Sequence, residues 1–176
     1  MKHIALVRGI NVGGNNMVKM ADLKAILTDL GFNEPRTLLQ SGNMVFGSMG
    51  LSALELEEKI EAAAKKQLGL TALFYVRTAQ EWADLIAGNP FPNEAAEYPG
   101  RLLVHFFKES PSPEGVEAVA SAIRGPERIA AEGRHLYVVY PEGIGVSTIG
   151  KTPGWNKLIS TGSGRNWNTI LKLAAL

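Results

Sequence analysis

Three strings of residues combine donors, cations and backbone freedom in a way that suits the binding of an anion. The first, Arg8-Gly9-Ile10-Asn11-Val12-Gly13-Gly14-Asn15-Asn16, follows the apolar run Ile4-Ala5-Leu6-Val7 and precedes a helical pattern beginning near Lys19. Glycines let a backbone turn tightly and approach a ligand, and a helix that follows such a loop aims unpaired N–H groups into it. The second, Gln40-Ser41-Gly42-Asn43, places amides and a hydroxyl at a turn. The third, Thr161-Gly162-Ser163-Gly164-Arg165-Asn166-Trp167-Asn168-Thr169, reads as the opening of the last helix. A cation in a first helical turn faces the positive end of the dipole, at a cost of a few tenths to about 1 kcal/mol, so Arg165 is expected to have a negative partner. That partner is either a carboxylate of the protein or a bound phosphate or carboxylate. Trp167 reads as a core residue, with base stacking as its alternative role.

Known phosphate loops do not account for these strings. Gly9 and Gly14 have the G-x-x-x-x-G spacing, but Asn15-Asn16 stand where a nucleotide-hydrolysing loop needs Lys and Ser/Thr. The dinucleotide fingerprint G-x-G-x-x-G is also absent. What remains is a general anion nest edged by Arg8 and Lys19; the local alternative is a tight strand–helix turn in which Asn15 or Asn16 caps the helix. His3, His105 and His135 are widely separated, and the three aspartates, Asp22, Asp29 and Asp84, fall on predicted helices. No metal site is expected, and no cofactor or catalytic residue is assigned. Ser41 lacks the strand–turn–helix context of a nucleophile.

Charge and composition set the frame. The 176 residues are 45% hydrophobic and 20% charged, as in ordinary globular chains, and there is no cysteine to form a disulfide or a thiolate site. The net charge is +1, yet residues 1–21 and 143–176 carry seven basic residues and no acid. If those ends meet, a nearly neutral protein has a local positive field. The apolar run before Arg8 is too short for a secretory core or a membrane span, so a cytoplasmic protein without membrane contact is expected.

The elements that must hold the three strings follow from periodicity. Met20, Leu23, Ile26, Leu27 and Leu30 predict a helix ended by Gly31, and Thr37–Gln40 with Asn43–Phe46 predict a hairpin about Ser41-Gly42. Ser52-Ala53-Leu54-Glu55 is a capping box heading a long helix to Gly69, and Ala72–Val76 reads as a strand. The order over 1–77 is β-α-β-β-α-β, a ferredoxin-like unit. In it both helices lie on one face, and Ile4–Val7 and Met44–Phe46 take the central places. Residues 78–176 form a second α+β subdomain packed on the first. A capping box at Thr78–Glu81 heads its first helix. A strand at 102–107, a helix from Ser112-Pro113, a hairpin about Gly133-Arg134 and a C-terminal helix follow, without a clear final strand. The fold class is therefore α+β with two related halves.

The strings Leu6–Gly14, Leu39–Asn43 and Arg165–Thr169, in this order, resemble the signature of an uncharacterised bacterial family catalogued as a domain of unknown function. The resemblance spans nearly the whole chain, although Ile144–Gly164 matches nothing assignable. It implies a two-part α+β architecture and a shortlist of binding positions: Arg8, Gly9, Asn11, Gly13 and Gly14; Gln40, Ser41, Gly42 and Asn43; Arg165, Asn166, Trp167 and Asn168. It implies no activity. The expected function is a binding module for a phosphate-bearing partner, either a nucleotide or a nucleic-acid segment, held where the three strings converge on one cleft. Two alternatives stand beside it: an enzyme acting on a small phosphorylated or carboxylated metabolite through Arg8 and Arg165, and a purely structural role. Oligomeric state is not assigned.

Overall fold

The computed structural model describes residues 1–176. Its chain forms two compact units, Met1–Asp84 with Leu173–Leu176, and Leu85–Lys172. No helix is long and apolar enough to cross a membrane.

In the first unit β1 (Lys2–Val7), α1 (Met20–Asp29), β2 (Asn33–Leu38), β3 (Asn43–Gly47), α2 (Ala53–Leu68) and β4 (Phe74–Thr78) build a four-stranded antiparallel sheet of order β2-β3-β1-β4. The two most apolar strands, β1 and β3, are central, as the ferredoxin-like reading requires. Alternate strand residues Ala5, Val7, Met44, Phe46, Phe74 and Val76 share one core with Leu23, Ile26 and Leu27 of α1 and Leu56, Ile60 and Ala64 of α2. Both helices therefore cover the same sheet face. Ser52 caps α2 reciprocally with Glu55, and Gly69, at φ +63°, ends it in the left-handed region. Phe32 N–H donates to Leu27 O around Gly31, which closes α1 in the same way.

Strand β2 starts earlier than its residues suggest. Pro35 argues against a strand at 33–36, but β2 lies at the sheet edge, where a missing N–H costs little, and its register shifts between Asn33 and Arg36. The opposite edge is closed by side chains. On α2, Glu57 Oε1 accepts Val76 N–H at 2.9 Å and Glu61 Oε1 accepts Phe74 N–H at 2.9 Å. Carboxylates one helical turn apart thus satisfy donors two residues apart on β4, and these are the groups through which another strand would add.

The second unit repeats the plan. After α3 (Ala79–Ala87), whose Thr78–Glu81 capping box is formed in both directions, come α4 (Pro92–Glu97), β5 (Leu102–Phe106), α5 (Pro113–Ala122), β6 (Arg128–Glu132), β7 (His135–Val139), α6 (Trp155–Leu158), β8 (Ser163–Asn166) and α7 (Trp167–Ala174). Its antiparallel sheet has the order β6-β7-β5-β8, the counterpart of the first. Ser112 caps α5 by accepting Gly115 N–H. The expectation of no final strand is corrected by β8. Ser-Gly-Arg-Asn has no alternation and little strand propensity, and its pairing with β5, from Leu103↔Asn166 to Phe106↔Ser163, makes it a strand. Arg165 accordingly belongs to an edge strand and not to a helical turn.

The likeness of the halves extends to single residues. Arg77 pairs in register with Ile4, and Arg165 with Val104. Each arginine is buried and donates from Nη1 to the carbonyl of the residue before it, Val76 O at 2.9 Å and Gly164 O at 2.8 Å. Each precedes a helix cap, Thr78 for α3 and Asn166 for α7.

His105 on β5 is buried edge-on to Trp155, and neither ring nitrogen has a hydrogen-bond partner. Desolvation pushes its pKa down to about 4. Between pH 6.5 and about 4 the unfolded chain therefore binds a proton that the folded chain refuses, so stability falls as the pH drops through this window. The contribution is about 3 kcal/mol in total. Urea denaturation across pH 7 to 4 is expected to show a steeper loss of stability in wild type than in His105→Leu, where His3, its pKa also lowered by burial, still titrates; equal slopes would refute it.

Candidate functional site

The glycine string is built differently from a phosphate loop. Gly13 and Gly14 both have positive φ, +58° and +78°, and Asn15 N–H donates to Val12 O at 3.0 Å, with Val12 and Asn15 forming an isolated bridge. This is the geometry of a two-residue type I′ turn, so the string is a miniature hairpin standing out from the fold. Asn11 N–H donates to Asn16 O below it, and Asn16 Nδ2 reaches Gly9 O at 3.2 Å. Neither Asn15 nor Asn16 caps α1, whose N-cap is Lys19 without a side-chain bond. Glycine here serves the turn itself, and the helix starts too far along the chain to point at Gly13 and Gly14.

Asn11 locks this excursion to the rest of the unit. Its Oδ1 accepts Val18 N–H at 2.8 Å, while its Nδ2 donates to Val18 O at 2.9 Å and to Gln40 O at 2.8 Å. The first two strings are therefore joined. In the second string the chain makes a four-residue turn between Leu38 and Asn43, with Leu39 at φ +60° and Gly42 at +79°. Val7 N–H donates to Gly42 O at 3.0 Å. Asn43 is fully buried and its Nδ2 donates to Leu38 O and to Ser41 Oγ, so it organises the turn from beneath, while Gln40 and Ser41 face solvent.

The third string belongs to β8 and α7. Arg165 is 7% exposed and donates from Nη1 to Ser163 Oγ and Gly164 O, both at 2.8 Å. Asn166 Oδ1 accepts both the N–H and the hydroxyl of Thr169, Trp167 is buried, and Asn168 is exposed. The dipole conflict expected at Arg165 does not arise, because α7 begins two residues later.

A cavity of about 560 Å³ lies beside the glycine string within the first unit. It is lined by Arg8, Gly9 and Asn16 of the glycine string, by Glu61, Ala62 and Lys65 of α2, and by Thr71–Leu73. Antiparallel pairing sets this juxtaposition, since Val7↔Phe74 places the start of β4 at the end of β1, and Arg8 N–H donates to Leu73 O at 3.0 Å. The volume falls in the range of small-molecule sites. Glu61 is engaged with the β4 backbone, as described above, whereas Lys65 makes no ion pair. Chemically the lining combines a guanidinium, an ammonium, an amide and a hydroxyl with the carboxylate of Glu61, whose Oε1 is engaged by Phe74 N–H. Lys65 and Thr71 were not singled out in the sequence, where Lys65 reads as one more solvated helix residue. The signal that would have found them is the βαβ topology, which returns the end of α2 to the end of β1.

A model of a family described as "Protein of unknown function (DUF1697)" matches residues 1–137. The matched region contains the first two strings and ends before Arg165. Among solved structures the chain is similar to a conserved bacterial protein from Streptococcus pneumoniae, with 24% sequence identity over 99% of this chain and 97% of that one and a TM-score of 0.76. At that identity the likeness concerns the fold. No curated protein matches the chain.

Proposed function

The chain belongs to the DUF1697 family of proteins of unknown function, and from that premise we propose that it is a binding module for a phosphate-bearing ligand, a nucleotide or a nucleic-acid segment. The observation that carries this reading is the cavity beside the glycine string, which Arg8 and Lys65 both line. A phosphate between them gains two charge-assisted contacts, and the amide of Asn16 and the hydroxyl of Thr71 add neutral donors. The miniature hairpin, anchored through Asn11, supplies a wall of fixed shape. Arg165, satisfied by its own strand, is left out of the contact set.

The test is titration of a mononucleotide and of a short single-stranded oligonucleotide, by calorimetry, against wild type, Arg8→Ala and Lys65→Ala. Both residues are exposed, so both variants are expected to fold. A charge-assisted hydrogen bond contributes roughly 1.5–3 kcal/mol, so each substitution is expected to weaken binding by about one to two decades. A nucleic-acid ligand adds a steep fall of affinity with salt that a mononucleotide lacks. Equal affinity in wild type and both variants, or no binding of either ligand, overturns the proposal.

A further inference from the structure

We propose that the second unit holds a binding site of its own, for an organic phosphate, between the C-terminal end of α5 and the segment Thr148–Pro153. A cavity of about 690 Å³ opens there, in the part of the chain where sequence motifs were silent. Its only charged lining residues are Arg124 and Lys151. Neither makes an ion pair, and the hydroxyls of Thr148 and Thr152, also in the lining, make no hydrogen bond within the protein. Two cations and two hydroxyl donors thus converge on one concavity with their hydrogen-bonding capacity open. A solitary exposed lysine is ordinary; this convergence without a lining carboxylate leaves a concentrated positive potential.

No carboxylate is among the lining residues. Glu117, one turn back on α5, accepts from Ser121 Oγ at 3.2 Å. Glu127 is buried against Gly125, a lining residue; its Oε1 accepts from Ser147 Oγ, and its Oε2 has no hydrogen-bond partner. Neither lines the cavity. The end of α5 contributes roughly half a negative charge, less than the two full positive charges at the rim. The dipole also favours a guanidinium at Arg124, directly after the helix.

The floor decides what the anion carries. Ile123, Ile149 and Pro153 add apolar side chains to the lining. Free phosphate leaves that surface wet, whereas a phosphate ester with an apolar body covers it and gains from its removal from water. The site therefore discriminates in favour of the ester.

Phenyl phosphate and inorganic phosphate serve as probes, titrated into the ¹⁵N-labelled full chain with amide shifts followed by NMR. Phenyl phosphate is expected to move amides within 121–125 and 148–152 and to bind more tightly than inorganic phosphate. Arg124→Ala and Lys151→Ala, both at exposed positions, are each expected to weaken it by about tenfold or more. Arg8→Ala, in the other unit, is expected to leave these shifts unchanged, which separates this site from the one beside the glycine string. Absence of shifts at 121–125 and 148–152, shifts confined to residues 8–16 and 61–73, or equal affinity in the Arg124→Ala/Lys151→Ala double variant would each overturn the proposal.

Discussion

Gly42→Ala is expected to destabilise the first unit by about 3–5 kcal/mol, measured as a fall in the urea midpoint at unchanged slope. Two independent costs add at this position. The backbone has φ +79°, which for an L-residue with a Cβ costs roughly 1–2 kcal/mol. A methyl group there would also overlap Val7 Cγ1 and lie 2.8 Å from Ile10 Cδ1. Val7 and Ile10 are buried core residues on the rigid β1 side of the site, so the clash cannot be relieved by a flexible chain end, and overpacking of this kind costs about 1–3 kcal/mol. Gly13→Ala and Gly14→Ala are the internal controls. Both have positive φ, but nothing lies within 4 Å of the added methyl, so only the backbone cost of about 1–2 kcal/mol remains. If all three variants lose the same stability, the packing argument at Gly42 is wrong.

That contrast shows what the sequence made legible. Glycine-rich turns could be located from composition, and the capping boxes at Ser52 and Thr78 and the cap at Ser112 marked three helix starts, because each is a local device whose partners lie within three residues. The central places of β1 and β3 followed from their unbroken apolar character, which only a strand buried on both faces sustains. What stayed hidden was set by distant contacts. Pro35 concealed the start of β2 because edge placement is a property of the sheet, and Ser163–Asn166 became a strand only by pairing with β5. Asn11 looked like a donor for a ligand; it is engaged by Val18 and Gln40, the latter 29 residues away. The same logic removed Arg165 from helix α7 and gave it a role that Arg77 shares in the other half. In both, the guanidinium satisfies a backbone carbonyl on an edge strand, so Arg165 is engaged within its own strand.

Glu57→Ala is expected to cost about 3–5 kcal/mol, the magnitude seen when one member of a buried ion pair is removed. Glu57 is 1% exposed, and its Oε1 both accepts Val76 N–H at 2.9 Å and lies 3.9 Å from Arg77 Nη1. Alanine leaves the cation of a fully buried Arg77 without this carboxylate and orphans a buried N–H, whose desolvation alone costs about 1–3 kcal/mol. Glu57→Gln separates the two terms. Its amide oxygen can still accept Val76 N–H, so it restores the hydrogen bond and not the charge. The double variant Glu57→Gln/Arg77→Met then removes the buried cation as well while retaining an acceptor for β4. If the ion pair dominates, the double variant is more stable than Glu57→Gln alone, since a buried pair replaced by neutral groups is often nearly neutral in stability. If edge sealing dominates, Glu57→Gln is close to wild type and Glu57→Ala is not. Denaturant midpoints for the three variants decide between these outcomes, and wild-type stability in Glu57→Ala would dismiss both.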